Sequence, residues 1–72
     1  MMMEYIKGTK VIHKRTLAEE TIVGPCKMKV NDEWVDGVIY EGIDRFTNKP
    51  MTFVKPKEVF DKEFIYAEWY GN

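Results

Sequence analysis

Few side chains in this sequence have the chemistry to act on a substrate. There is one histidine, His13, and one cysteine, Cys26, and the hydroxyls of Thr9, Thr21 and Thr52 are scattered along the chain. A hydrolase or transferase needs a nucleophile with a base in reach, paired carboxylates or a set of metal ligands. His13 lies between Ile12 and Lys14 in a stretch that reads as a strand. Cys26 opens an alternating run, where a thiol acts as a small buried hydrophobe. One histidine and one cysteine fall short of the four ligands of a structural zinc, and calcium or magnesium spacing is absent. The five glycines are isolated, so no loop is built to cradle a phosphate. These residues predict a protein that is not an enzyme, with no metal and no cofactor, whose work is binding.

Two features could do that binding. The first is an aromatic surplus: four Phe, four Tyr and two Trp are more than a small core can hide. With period-2 alternation from Phe64 to Tyr70, Phe64, Tyr66, Glu68 and Tyr70 point one way and Ile65, Ala67 and Trp69 the other. Tyr66, Trp69 and Tyr70, with Trp34, are therefore candidate anchors for a protein partner or a second copy of the chain. The second feature is local basic charge, with Lys10, His13, Lys14 and Arg15 on the first strand and Lys55 and Lys57 around Pro56. Were the first and fourth strands close, Lys14, Arg15 and Lys55 would meet the phosphates of a nucleotide beside Tyr40 or Trp34. Such a pocket is expected between subunits of a homo-oligomer, because one small barrel is short of concave surface. Solvated edge lysines are the plainer alternative.

Size and charge narrow the partners. Seventy-two residues make one domain, and a chain this short buries about 60–65% of its unfolded surface. Eleven basic against twelve acidic residues give a net charge of −1. Bulk nucleic-acid binding, which relies on a basic surplus, is disfavoured, leaving at most an accessory contact. No apolar run approaches the roughly 20 residues of a membrane span. The start, Met-Met-Met-Glu-Tyr, lacks the basic and apolar regions of a signal peptide. A cytoplasmic domain is expected, with residues 1–5 disordered.

Fold class follows from the period. Thr9–Lys14 suits a first strand, Thr16–Glu19 a loop, and Glu20–Val23 a second strand broken or bulged at Gly24-Pro25. Cys26, Met28 and Val30 alternate with Lys27 and Lys29, which predicts a buried and a solvated face; Asn31-Asp32 suits a hairpin turn. Trp34, Val35, Val38, Ile39 and Tyr40 form a strand interrupted by a bulge or kink at Asp36-Gly37. After a polar loop from Gly42 to Pro50, Met51–Lys55 is a strand ended by Pro56. Pro56–Phe60 makes a short 3-10 turn before the last strand, Phe64–Tyr70. The class is all-β, a small five-stranded barrel. Expected core positions are Val11, Ile22, Met28, Val30, Val38, Tyr40, Phe53, Val59, Phe60, Phe64 and Ile65, with Phe60 the costliest to truncate.

The order of motifs resembles the small SH3-like β-barrel domains of bacteria and tailed phages, whose pattern runs HK(K/R), YEVxG, VVY and WVRPxxxFxxxF. His13-Lys14-Arg15 looks like the first element, Glu20-Thr21-Ile22-Val23-Gly24 the second and Val38-Ile39-Tyr40 the third. Thr52-Phe53-Val54-Lys55-Pro56 with Val59, Phe60 and Phe64 matches the last, so the resemblance covers residues 10–65. Phe53 replaces the usual Trp, Lys55 the usual Arg, and Thr16-Leu17-Ala18 the usual glycine turn. The resemblance implies an SH3-like barrel and a phage setting in a host cytoplasm. It implies no activity. Within that setting the leading expectation is occupancy of a host protein through the aromatic surface. The alternatives are a counter-defence sponge that sequesters a nucleotide signal and a nucleic-acid-contacting accessory domain.

Overall fold

The computed structural model describes residues 5–70. Five antiparallel strands form one sheet in the order β4-β3-β2-β1-β5. They are β1 (Lys10–His13), β2 (Glu19–Val30), β3 (Glu33–Ile43), β4 (Pro50–Pro56) and β5 (Phe64–Tyr66). A helix, α1 (Lys57–Glu63), joins β4 to β5, and one 3-10 turn, Ala67–Trp69, follows β5. A four-strand meander with β5 returning beside β1 is the arrangement of a small SH3-like barrel. No ladder joins β4 to β5. Instead Phe60 of α1 fills the gap between them, stacked on Phe64 at 4.3 Å and tilted against Tyr40 at 5.3 Å.

Pro56 closes β4 and suits the residue before a first helical turn, since it has no N–H to leave unpaired. The helix runs three residues past the single turn expected up to Phe60, to Glu63. It is supported by Lys57–Asp61 and Glu58–Lys62 pairs at i,i+4 spacing. β5 is correspondingly short. The chain leaves the sheet at Ala67, so the alternation expected out to Tyr70 stops at Tyr66.

The buried core is Val11, Ile22, Val38, Tyr40, Phe60 and Phe64, with Phe53 and Tyr66 packed against it. Tyr5 also packs on it, its ring 5.5 Å from Phe60 and edge-on; the rest of the start expected to be disordered lies outside the described residues. Met28 and Val30 are not core residues, and the reason is a single bulge. Ile22 pairs with Tyr40 and Gly24 with Ile39, leaving Val23 as an extra residue. One extra residue exchanges the faces of everything after it. Ile22 therefore points inward, while Cys26, Met28 and Val30 join Val35, Ile39 and Val54 on the outer face. Val59 is not a core residue either: on α1 it is Phe60 that is buried, and Val59 beside it is 40% exposed.

Asn31 and Asp32 both have positive φ, 50° and 64°, and connect the paired Val30 and Glu33. This is the two-residue turn that matches strand twist. Asp36-Gly37 is not a bulge, since pairing runs unbroken through Lys27–Asp36 and Cys26–Gly37. Gly37 is small for another reason. A Cβ there would lie 2.6 Å from Met28 Cγ and Sδ, which cross its backbone on the outer face.

Candidate functional site at the mouth of the barrel

Strand phase puts polar residues inside one end of the barrel. His13 is in phase with Val11 on β1, Glu20 with Ile22 on β2, and Lys55 with Phe53 on β4. They meet beneath Tyr40 and Phe64. Lys55 Nζ donates to Glu63 Oε1 and lies 5.8 Å from the Phe64 ring centroid. His13 Nε2 lies 3.8 Å from the same carboxylate oxygen, and its ring meets Phe64 edge-on at 5.0 Å. His13 Nδ1 accepts the backbone N–H groups of Arg15 and Thr16, at 3.2 and 3.3 Å. A nitrogen that accepts carries no proton, so Nε2 is the donor that faces Glu63.

The electrostatics follow from burial and pairing. The hydrogen bond from Lys55 holds the Glu63 carboxyl below its ordinary range. Glu20 goes the other way. Burial pushes its carboxyl up, against the pull of Lys55, and its Oε2 is buried without a hydrogen-bond partner. Gly42, in phase with Tyr40, makes room for it, because a Cβ there would lie 2.5 Å from that oxygen. Desolvation, with Glu20 and Glu63 adding to it, raises the Tyr40 hydroxyl to about 12.

Two loops wall this mouth, and they share one construction. In the β1–β2 loop the His13 N–H donates to Ala18 O, the Leu17 N–H donates to His13 O, and Leu17 has φ 63°. In the β3–β4 loop the Asp44 N–H donates to Lys49 O, the Asn48 N–H donates to Asp44 O, and Asn48 has φ 58°. The side chain that opens each loop also ties it down: Asp44 accepts from the Phe46 N–H at 3.2 Å and from Thr47 Oγ1 at 3.0 Å. Between the loops is a cleft of about 340 Å³ lined by His13, Thr16, Glu20, Tyr40, Arg45, Phe46, Phe53 and Lys55, among others. Phe46 stands at its lip and is 96% exposed.

The predicted site residues divide among four places. Tyr40 and Lys55 line the cleft, Tyr40 as a buried member of the core and Lys55 as a partner of Glu63. Lys14 and Arg15 lie beside it in a shallower depression with His13, Lys62 and Glu63. Trp34 is remote from both, near the β2–β3 turn, with Lys29 Nζ 5.8 Å from its ring centroid. Tyr66 and Trp69 pack edge-on at 4.6 Å, and Tyr70 follows them past the 3-10 turn. Of the aromatic surface expected from Trp34, Tyr66, Trp69 and Tyr70, Trp34 is on β3 while the other three lie in and after β5.

Phe46, Arg45 and Glu20 are cleft residues that the sequence reading did not single out. Glu20 had a signal, its two-residue phase with Ile22. Phe46 had none, being one apolar residue in a polar loop. Among the described residues no cluster of His, Cys, Asp and Glu could hold a metal ion, and no helix is long and apolar enough to cross a membrane. No protein-family model, curated protein or solved structure matches the chain.

Proposed function

We propose that this protein is a non-enzymatic binding module that holds a segment of another protein in the cleft between the β1–β2 and β3–β4 loops. The observation that carries this reading is Phe46. A phenylalanine side chain is almost wholly in water, on a loop pinned by Asp44, above a floor formed by Tyr40 and Phe53. Aromatic side chains held at the lip of a cleft are the anchors that interfaces use. The binding role fits the state of the one histidine, whose Nδ1 serves its own turn. By the resemblance to phage and bacterial SH3-like domains, the partner would be a host cytoplasmic protein.

The test is selection of peptides from a random display library on the immobilised protein, with binding mapped by amide chemical shifts. Selected peptides are expected to move the resonances of Glu20, Gly42 and Phe46, and to lose about tenfold in affinity on Phe46→Ala. Peptides that map to Trp34 or Trp69 instead, or bind the Phe46→Ala protein equally well, would refute the reading.

A nucleotide sponge has one observation in its favour, since Lys14, Arg15 and Lys55 do gather at the same end of the barrel. Against it, Lys55 is already paired with Glu63 and the cleft floor carries Glu20. That reading predicts a ligand absorbing at 260 nm, released when the purified protein is denatured; a clean protein spectrum and no thermal shift with nucleotides would end it.

A further inference from the structure

The ring of His13, the one histidine in the chain, holds a wall of the cleft in place. Its Nδ1 accepts the N–H groups of both Arg15 and Thr16, and so gathers the tip of the β1–β2 loop. The backbone bonds of that loop fall on other residues: His13 N–H to Ala18 O, Leu17 N–H to His13 O and Lys14 N–H to Glu63 O. Among the described residues the N–H groups of Arg15 and Thr16 have no other acceptor. Thr16 lines the cleft, so its position there depends on the lone pair of one imidazole nitrogen.

An imidazole that takes up a proton loses that lone pair. Both ring nitrogens then donate, and turning the ring over offers the loop a second N–H in place of an acceptor. Two backbone donors are left facing a third. The surrounding charges act in the same direction. Glu63 of α1 lies 3.8 Å from Nε2, on the oxygen that also accepts from Lys55 of β4. A cationic ring is drawn toward that carboxylate, which lengthens the contacts on its Nδ1 side. Lys14 and Arg15 of the loop, with Lys62 of α1, share a depression with the ring and are repelled by a cation there. β2 presents Glu20 to the same cleft, and β5 presents the uncharged Phe64, edge-on. We propose, resting on the binding reading above, that His13 is a pH switch for the cleft. Neutral, it holds the β1–β2 wall against the bound segment; protonated, it releases Arg15 and Thr16 and the segment is lost. Imidazole is the side chain that ordinarily changes charge between about pH 5 and 8, so release belongs to mild acid.

The loop is tested first, without a ligand. The labelled protein is titrated from about pH 7.5 to about pH 5.5, with proton uptake read from the His13 ring itself. The Arg15 and Thr16 amide protons should move upfield in step with that uptake, while amides of the β2–β3 pair stay still. His13→Asn places a non-titrating acceptor near the position of Nδ1, and its loop amides should not respond. Still Arg15 and Thr16 amides in the parent, or an equal response in His13→Asn, overturn the switch whether or not the cleft binds anything. The second arm uses the library-selected peptides that require Phe46. Their affinity should fall about tenfold over the same range, the effect of losing a hydrogen bond or two. Glu20→Gln should keep that fall and His13→Asn should lack it. A fall that disappears in Glu20→Gln, or persists in His13→Asn, overturns the assignment to His13. Affinity that stays level while the loop amides move overturns the gating and leaves the binding module standing. No selected peptide at the cleft overturns both.

Discussion

Phe60 and Val59 are adjacent and chemically alike, yet the fold uses them differently. Phe60 is fully buried against Phe64, Tyr40 and Tyr5, while Val59 is 40% exposed. Phe60→Ala should cost about 3–5 kcal/mol, enough to unfold much of a domain this small, and Val59→Ala under about 1 kcal/mol, as read from urea midpoints. Glu20 and Glu63 make a second contrast, of opposite sign with pH. A carboxyl raised by burial holds its proton more tightly when folded, so stability falls as pH rises from the ordinary carboxylate value through the raised one. Glu20→Gln should therefore be the more stable protein at neutral pH and lose that advantage as pH approaches about 4. The Glu63 carboxyl is held low by Lys55, so its contribution is complete above the ordinary value and lost as pH falls through the depressed one. Glu63→Gln should be less stable at neutral pH and converge with the parent only in stronger acid. Urea denaturation across pH checks both, and parallel profiles for the two variants would contradict the assignment.

The paired loops are informative at the next scale. Both place their next-to-last loop residue in the left-handed region, but one fills it with Asn48 and the other with Leu17. A non-glycine residue pays roughly 1–2 kcal/mol there, and Asn much less. Leu17 is 53% exposed, so little packing opposes its replacement. Leu17→Asn or Leu17→Gly should raise the melting temperature, by about 0.5–1 kcal/mol of stability, and Asn48→Leu should lower it. Gly37→Ala is destabilising through Met28 and through Cys26, whose Sγ would lie 2.8 Å from the new Cβ, so a Met28→Ala background should remove only part of that cost. The elements also show what the sequence made legible. The inward residues Val11, Ile22, Val38 and Phe64 sit in short apolar runs whose ends carry turn chemistry, so strand number and most of the core could be read directly. Met28 and Val30 misled because the pattern cannot register one unpaired residue at Val23, after which the same alternation serves the opposite face. Of the cleft, Tyr40 and Lys55 were readable as strand residues, while Lys14 and Arg15, expected on the first strand, lie beside it in the turn after β1. Phe46 was not, because a solitary aromatic in a turn has no period, and its meaning depends on the other loop standing opposite.

For the molecule as a whole, the barrel is closed by hydrogen bonds around most of its girth and by side chains across the remainder. Between β4 and β5 the connection is α1, the stacked Phe60 and Phe64, and the ion pair of Lys55 with Glu63. A boundary without a ladder is where local opening is least costly. In native-state hydrogen exchange, the amides of α1 and β5 are expected to open together and before those of the β2–β3 pair, with Lys55→Met hastening the first set and leaving the second unchanged. Uniform exchange over all five strands would contradict this. The latch on that seam, Lys55 with Glu63, lies directly below the cleft. A segment seated in the cleft would then act as a clasp across the gap, so occupancy would be recorded as slower breathing of the helix whose last residue, Glu63, is held by Lys55.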